Sequence, residues 1–170
     1  MTLTHFALLS LFPALMAYAA CSDLLSMRIS NRVSLLLFAG FIVMGLAVGL
    51  PWETWLMHFA AGGLVLLITF GMFAAGWIGG GDAKLAAVTA MWMGWGSLLI
   101  EYGAIASLFG GALTLALLNF RNFPLPYFAR WPWLLHLHHH KTGVPYGIAL
   151  AAAGLAVYPN SQIWMQSLSV

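Results

Sequence analysis

The chain has 170 residues, of which 62% are hydrophobic and only 6% charged. A soluble domain carries about a quarter charged residues, so there is too little polar surface here to cover a water-soluble globule, and the composition is that of a polytopic membrane protein. A net charge of +2 from six Lys/Arg is too sparse for a nucleic-acid surface, and the single Cys21 excludes both an intramolecular disulfide and a four-cysteine zinc module.

In chain order, the apolar runs predict an all-α fold, a single domain over 1–170 with six membrane spans at 3–24, 33–50, 55–78, 83–95, 97–120 and 144–158. The first run has no basic leader and no small-residue cleavage site, so it reads as a retained span rather than a signal peptide. A helix needs about 20 residues to cross about 30 Å of hydrocarbon; the fourth and sixth segments are shorter. One long polar-aromatic connection remains, 121–143. Arg28 and Arg32 fall between spans one and two, Lys84 at the start of span four, and Arg121, Arg130 and Lys141 between spans five and six. All six therefore lie on one side of the six-span arrangement. The positive-inside rule makes that side cytoplasmic and turns both termini outward. Tryptophans are expected at the interfaces, with Trp52, Trp55, Trp92 and Trp95 outside and Trp77, Trp131 and Trp133 inside.

The chain holds only four acids: Asp23, Glu53, Asp82 and Glu101. Glu53 sits in an outer loop between tryptophans and reads as solvated. Glu101 lies near the start of span five, where the helix dipole favours a carboxylate. Asp23 and Asp82 are expected at the cytoplasmic ends of spans one and four, where an acid is costly and points to function. Each also has a plainer reading: Asp82 as the N-cap of span four, Asp23 as half of a structural bridge to Arg28. With Trp95 at the outer interface, Asp82 lies about 20 Å inward along a helix, below the inner surface. Gly79, Gly80 and Gly81 would then be non-helical backbone at that depth, tolerated only beside protein or a wet cavity. That describes a pocket with room for an extended peptide next to a carboxylate. Two carboxylates facing such a pocket suit aspartyl-protease chemistry: one activates water, the other protonates the scissile carbonyl, and the pair shares one proton.

Three stretches resemble one family. Gly79-Gly80-Gly81-Asp82 matches the G-x-G-D motif of intramembrane aspartyl proteases, and with Lys84-Leu85 it resembles the type IV prepilin peptidases. Asp23 followed by Arg28-Ile29-Ser30-Asn31 resembles that family's first motif, with Ser30 in place of a proline. Val144-Pro145-Tyr146-Gly147-Ile148-Ala149 resembles its last-span stretch. The resemblance implies a multi-pass enzyme of the cytoplasmic membrane, with Asp23 and Asp82 as the catalytic pair. Gly79, Gly80, Gly81, Lys84, Arg28, Asn31, Pro145, Tyr146 and Gly147 are its implied support. The implied substrate is a prepilin or pseudopilin, cut at the inner face just before its hydrophobic helix, in the service of a pilus or secretion assembly. Larger relatives add a cysteine-paired cytoplasmic region associated with methylation of the new N-terminus; here the stretch after Asp23 is short. The chain is thus similar to the peptidase-only branch that serves tight-adherence (Flp-type) pili, and N-methyltransferase activity is not expected.

Arg28, Arg32 and Lys84 suit anionic lipid head groups, though any inner loop carries such charges. The run His136-Leu137-His138-His139-His140 invites a metal reading, but no acid or cysteine adjoins it, and the expected chemistry requires neither metal nor organic cofactor. Gly110-Gly111 reads as helix packing. Two other classes fit the same composition. A channel or transporter would use Asp23 and Asp82 as ion sites; a non-catalytic membrane subunit would tolerate their loss.

Overall fold

The computed structural model describes residues 3–124, 131–139 and 142–169. Its helices are α1 (Leu3–Ser26), α2 (Asn31–Ala47), α3 (Trp52–Ala74), α4 (Gly80–Met93), α5 (Ser97–Asn122), α6 (Pro132–His138), α7 (Tyr146–Val157) and α8 (Gln162–Ser169), with a 3-10 turn at Tyr158–Asn160 between the last two. There is no strand among the described residues. Residues of α1, α3 and α5 form stretches long and apolar enough to cross a membrane, and α2 is a shorter apolar helix. Arg130, Lys141 and His140 lie outside the described residues, as do the two chain ends.

The expected fourth and sixth spans are α4, of 14 residues, and α7, of 12. At 1.5 Å per residue they reach only about 21 and 18 Å. They are the inside of the bundle. From Leu85 to Met93 every residue of α4 is buried, and this helix packs against α2, α3, α5 and α7. Helix α7 packs against α1, α4 and α5. Small residues allow this: Ala83, Ala86, Ala87 and Ala90 on α4, Ala149, Ala151, Ala153 and Gly154 on α7. A side chain at Gly154 would meet the Met16 methyl at 2.7 Å and Thr89 at 3.0 Å. The outer helices turn large apolar side chains outward, Leu67 and Leu115 among them at 71% and 70% exposure. Water would not tolerate such a surface; lipid does, and the molecule is a membrane protein.

Each outer helix shows a narrow inward stripe. On α1 it runs Leu9, Phe12, Met16, Ala19, Asp23, a spacing that keeps one helix face toward the core. Asp23 is thus the last inward-facing residue of an apolar stripe. On α2 the stripe is Val33, Leu37, Phe41, Met44. Helix α3 ends in a Schellman turn: Trp77 N–H donates to the Met72 carbonyl at 2.9 Å, and Gly76 N–H to that of Phe73 at 2.9 Å. The turn requires the left-handed backbone that Gly76 adopts at φ 76°. It sends the chain directly back as α4.

Three sequence expectations are corrected here. Trp92 is not an interface residue. It is fully buried, its indole N–H donates to the Leu37 carbonyl at 3.0 Å, and its ring packs against Phe12, Phe41 and Tyr158. Arg121 is not a loop charge. It belongs to the last turn of α5 and is buried, with Nε donating to the Leu137 carbonyl at 3.0 Å and Nη2 to that of Gly143 at 2.9 Å. Nor are all three glycines non-helical: Gly79 is the extended N-cap of α4, and Gly80 and Gly81 form its first turn. The other tryptophans differ in kind, with Trp52, Trp77, Trp95 and Trp131 well exposed.

Candidate active site

The end of α1 and the start of α4 meet at one end of the bundle. Asp23 and Asp82, both buried, line a single cavity of about 280 Å3 together with Met27, Arg28, Ile29 and the Gly79–Gly81 backbone. The two carboxylates are near enough to interact electrostatically. Asp82 stands at the third position of α4, and its Oδ2 accepts from the Gly79 N–H at 3.3 Å. Gly79, not Asp82, is thus the N-cap of α4; Asp82 reaches back to the cap residue's amide and lines the cavity as well.

The start of α7 completes the arrangement. Gly147 N–H donates to Asp23 Oδ2 at 2.8 Å, and the same amide lies within reach of Asp82. It is a backbone donor placed between two acids by a helix N-terminus, where such donors are unused by the helix. Only glycine permits the approach: a Cβ at 147 would meet Ile29 Cδ1 at 2.6 Å and Asp23 Oδ2 at 2.7 Å. Gly81 is similarly crowded, its missing Cβ facing Ile29 at 3.1 Å.

The other expected site residues divide into groups. Arg28 lines the cavity, but no ion pair joins it to Asp23 among the described residues; its carbonyl instead accepts from Ser22 Oγ at 2.8 Å. The structural-bridge reading of Asp23 is thereby removed. Lys84 and Asn31 are joined to each other, Nζ to Oδ1 at 2.8 Å, which ties α4 to α2 beside the cavity rather than inside it. Pro145 is the N-cap residue of α7. Tyr146 packs on Gly110 of α5, with its hydroxyl 3.4 Å from Thr114 Oγ1, and does not line the small cavity that Asp23 and Asp82 share. Ser30, where the resembling motif has proline, is the N-cap of α2, its Oγ accepting from Arg32 N–H at 3.3 Å.

Glu53 and Glu101 are exposed and lie near the starts of α3 and α5, at the opposite end. Glu101 stands just past the first turn of α5, so the dipole argument made for it weakens. Of the histidine run, His138 Nε2 donates to the Phe123 carbonyl at 2.8 Å. No group of three or more His, Cys, Asp or Glu is gathered in metal-binding reach among the described residues. Sequence reasoning missed His58, buried in α3 with Nδ1 2.6 Å from the Met91 carbonyl, and Gly76. A histidine inside an apolar run and a glycine closing one were the available signals.

No curated protein and no solved structure matches the chain. A family profile described as the type IV leader peptidase family matches residues 10–117. That stretch contains Asp23 and Asp82 and stops before the Val144–Ala149 segment. It spans well over half of the chain, which belongs to the type IV leader peptidase family.

Proposed function

We propose that this membrane protease is an aspartyl endopeptidase that removes the leader from type IV prepilins or prepilin-like proteins, with Asp23 and Asp82 as its catalytic pair. The observation that carries the reading is that these two acids, far apart in sequence, line one small cavity, in a chain of the leader peptidase family. One ionised carboxylate takes a proton from water as the oxygen attacks the scissile carbonyl. The other, protonated, donates to the carbonyl oxygen. The tetrahedral intermediate then collapses, and the leaving amine takes up a proton as the C–N bond breaks. The Gly147 amide holds the acids in register. The glycines of the wall leave space for an extended backbone, and no metal or cofactor enters the scheme.

The active site faces the cytoplasm. Arg28, Arg32, Lys84 and Arg121 all lie at the aspartate end, at the end of α1, the start of α2, the start of α4 and the end of α5; the positive-inside rule turns that end inward. Six spans with both termini outside follow the same charges. The chain serves a pilus or secretion assembly, acts beside membrane lipid, and leaves the new N-terminus unmethylated.

Co-expression with a candidate prepilin in a heterologous membrane tests this reading. The expected outcome is a leader-sized shift on a gel and a product mass that begins at the residue after the cut, without an added methyl group. An uncut prepilin across a panel of candidates, with the enzyme present in the membrane, would count against it.

A further inference from the structure

Two lateral grooves flank α4. One, of about 550 Å3, lies between α2 and α3, includes the hydrogen-bonded Asn31 and Lys84, and is lined by neither Asp23 nor Asp82. The other, of about 860 Å3, opens between α3 and α5 over a floor of α4 and α7, and Asp82 is part of its lining. Asp82 thus belongs both to this groove and to the small cavity it shares with Asp23. The α3 wall carries Ile68 and Met72; the α5 wall carries Gly103, Ser107 and Gly111. These three recur every fourth residue, the small-residue spacing along which a second helix approaches closely. A Cβ at Gly103 or Gly111 would meet nothing within 4 Å, whereas one at Gly110 would touch Tyr146 at 3.5 Å. Gly110 is therefore packed, as expected, but Gly111 faces an empty seat.

An apolar groove open to lipid cannot hold an extended chain along its length, because the backbone groups of that chain would go unsatisfied. A helix satisfies its own. From Ile100 to Leu115 along α5 the groove runs about 22 Å at 1.5 Å per residue. That is long enough for most of a membrane-embedded helix, with a carboxylate at its end. We propose that the groove between α3 and α5 is the docking site for the apolar helix of the substrate, and that the bond to be cut lies just beyond the end of that helix, at Asp23 and Asp82. The proposal rests on the leader-peptidase reading above and adds where the substrate enters.

Filling the seat without disturbing the fold tests it. Gly103→Leu and Gly111→Leu are expected to slow cleavage of a membrane-embedded prepilin about tenfold or more, at equal membrane abundance. Gly63→Leu, in the other groove and equally free of neighbours, is expected to leave the rate within about twofold of wild type. In a Cys21→Ser background, Ser107→Cys is expected to crosslink to a cysteine in the substrate helix, and Ser34→Cys, in the α2–α3 groove, is not. Wild-type rates in both α5 variants, or crosslinking from position 34 instead of 107, would overturn the groove assignment while leaving the protease reading intact. A wild-type enzyme that neither cuts nor crosslinks any prepilin would overturn both.

Discussion

Gly147 shows how a single missing methyl group decides a site. Its amide donates to Asp23, and its Cα lies where any side chain would strike Asp23 and Ile29. Gly147→Ala is expected to push the Asp23 carboxylate out of register. Misplacement on the order of 1 Å costs catalysis about a hundredfold, so prepilin cleavage should fall by about that factor while the protein still reaches the membrane. A rate within a few-fold of wild type would mean the contact is slack. The acids themselves were legible in the sequence, because in a chain this poor in charge a carboxylate at the end of a span needs a reason. The neighbours of Asp82 were less so. Gly79, not Asp82, is the N-cap of α4, and Asp82 bonds back to the Gly79 amide while lining the cavity, a pairing that the sequence does not reveal. Arg28 was read as a possible partner for Asp23 on proximity in sequence, but the turn after α1 gives the Arg28 carbonyl, not its guanidinium, a partner on that helix, Ser22.

Among the elements, α1 was legible as an apolar run with Asp23 at its end, but its inward stripe from Leu9 to Asp23 was not, because the run is apolar on nearly every side. Helix α6 was not legible: at seven residues it is too short to show periodicity, and it lay hidden in the polar-aromatic connection. Its anchor is Arg121, whose guanidinium holds carbonyls at Leu137 and Gly143 and so fixes the path from α5 into α7. Sequence counted Arg121 only as a basic residue because nothing in a linear chain shows which carbonyls will surround it. Hydrogen bonds to a charged group contribute about 1.5–3 kcal/mol each. Arg121→Gln is expected to lower the thermal unfolding midpoint of the purified protein in detergent and to expose the connection before α7 to limited proteolysis. An unchanged midpoint and digestion pattern would show that the tether carries no stability. Since Gly147 stands at the start of α7, the same variant should also slow cleavage, by less than Gly147→Ala does.

At the scale of the molecule, hydropathy revealed a helical membrane protein but not its inside. It marks oily segments without saying which face lipid and which face protein. Thus the fourth and sixth segments were read only as short spans, and nothing in their hydropathy marks α4 and α7 as the buried centre, packed through alanine and glycine. Trp92 was misplaced for the same reason: a tryptophan near a helix end reads as an interfacial anchor until Phe12, Phe41 and Tyr158 are seen to enclose it. What the buried centre provides is a fixed frame in which the start of α4 and the start of α7 meet the end of α1, so the proposed chemistry rests on three helix ends rather than on any one motif. The most direct test of that account is single-turnover cleavage of a prepilin by the purified enzyme in lipid, for wild type, Asp23→Asn and Asp82→Asn, with folding checked by thermal unfolding. Two carboxylates acting as a unit predict that either substitution alone lowers the rate at least about a thousandfold, and that the double variant is no worse than either single one. Substantial cleavage by a folded single variant, or by the double variant, would contradict the two-aspartate mechanism.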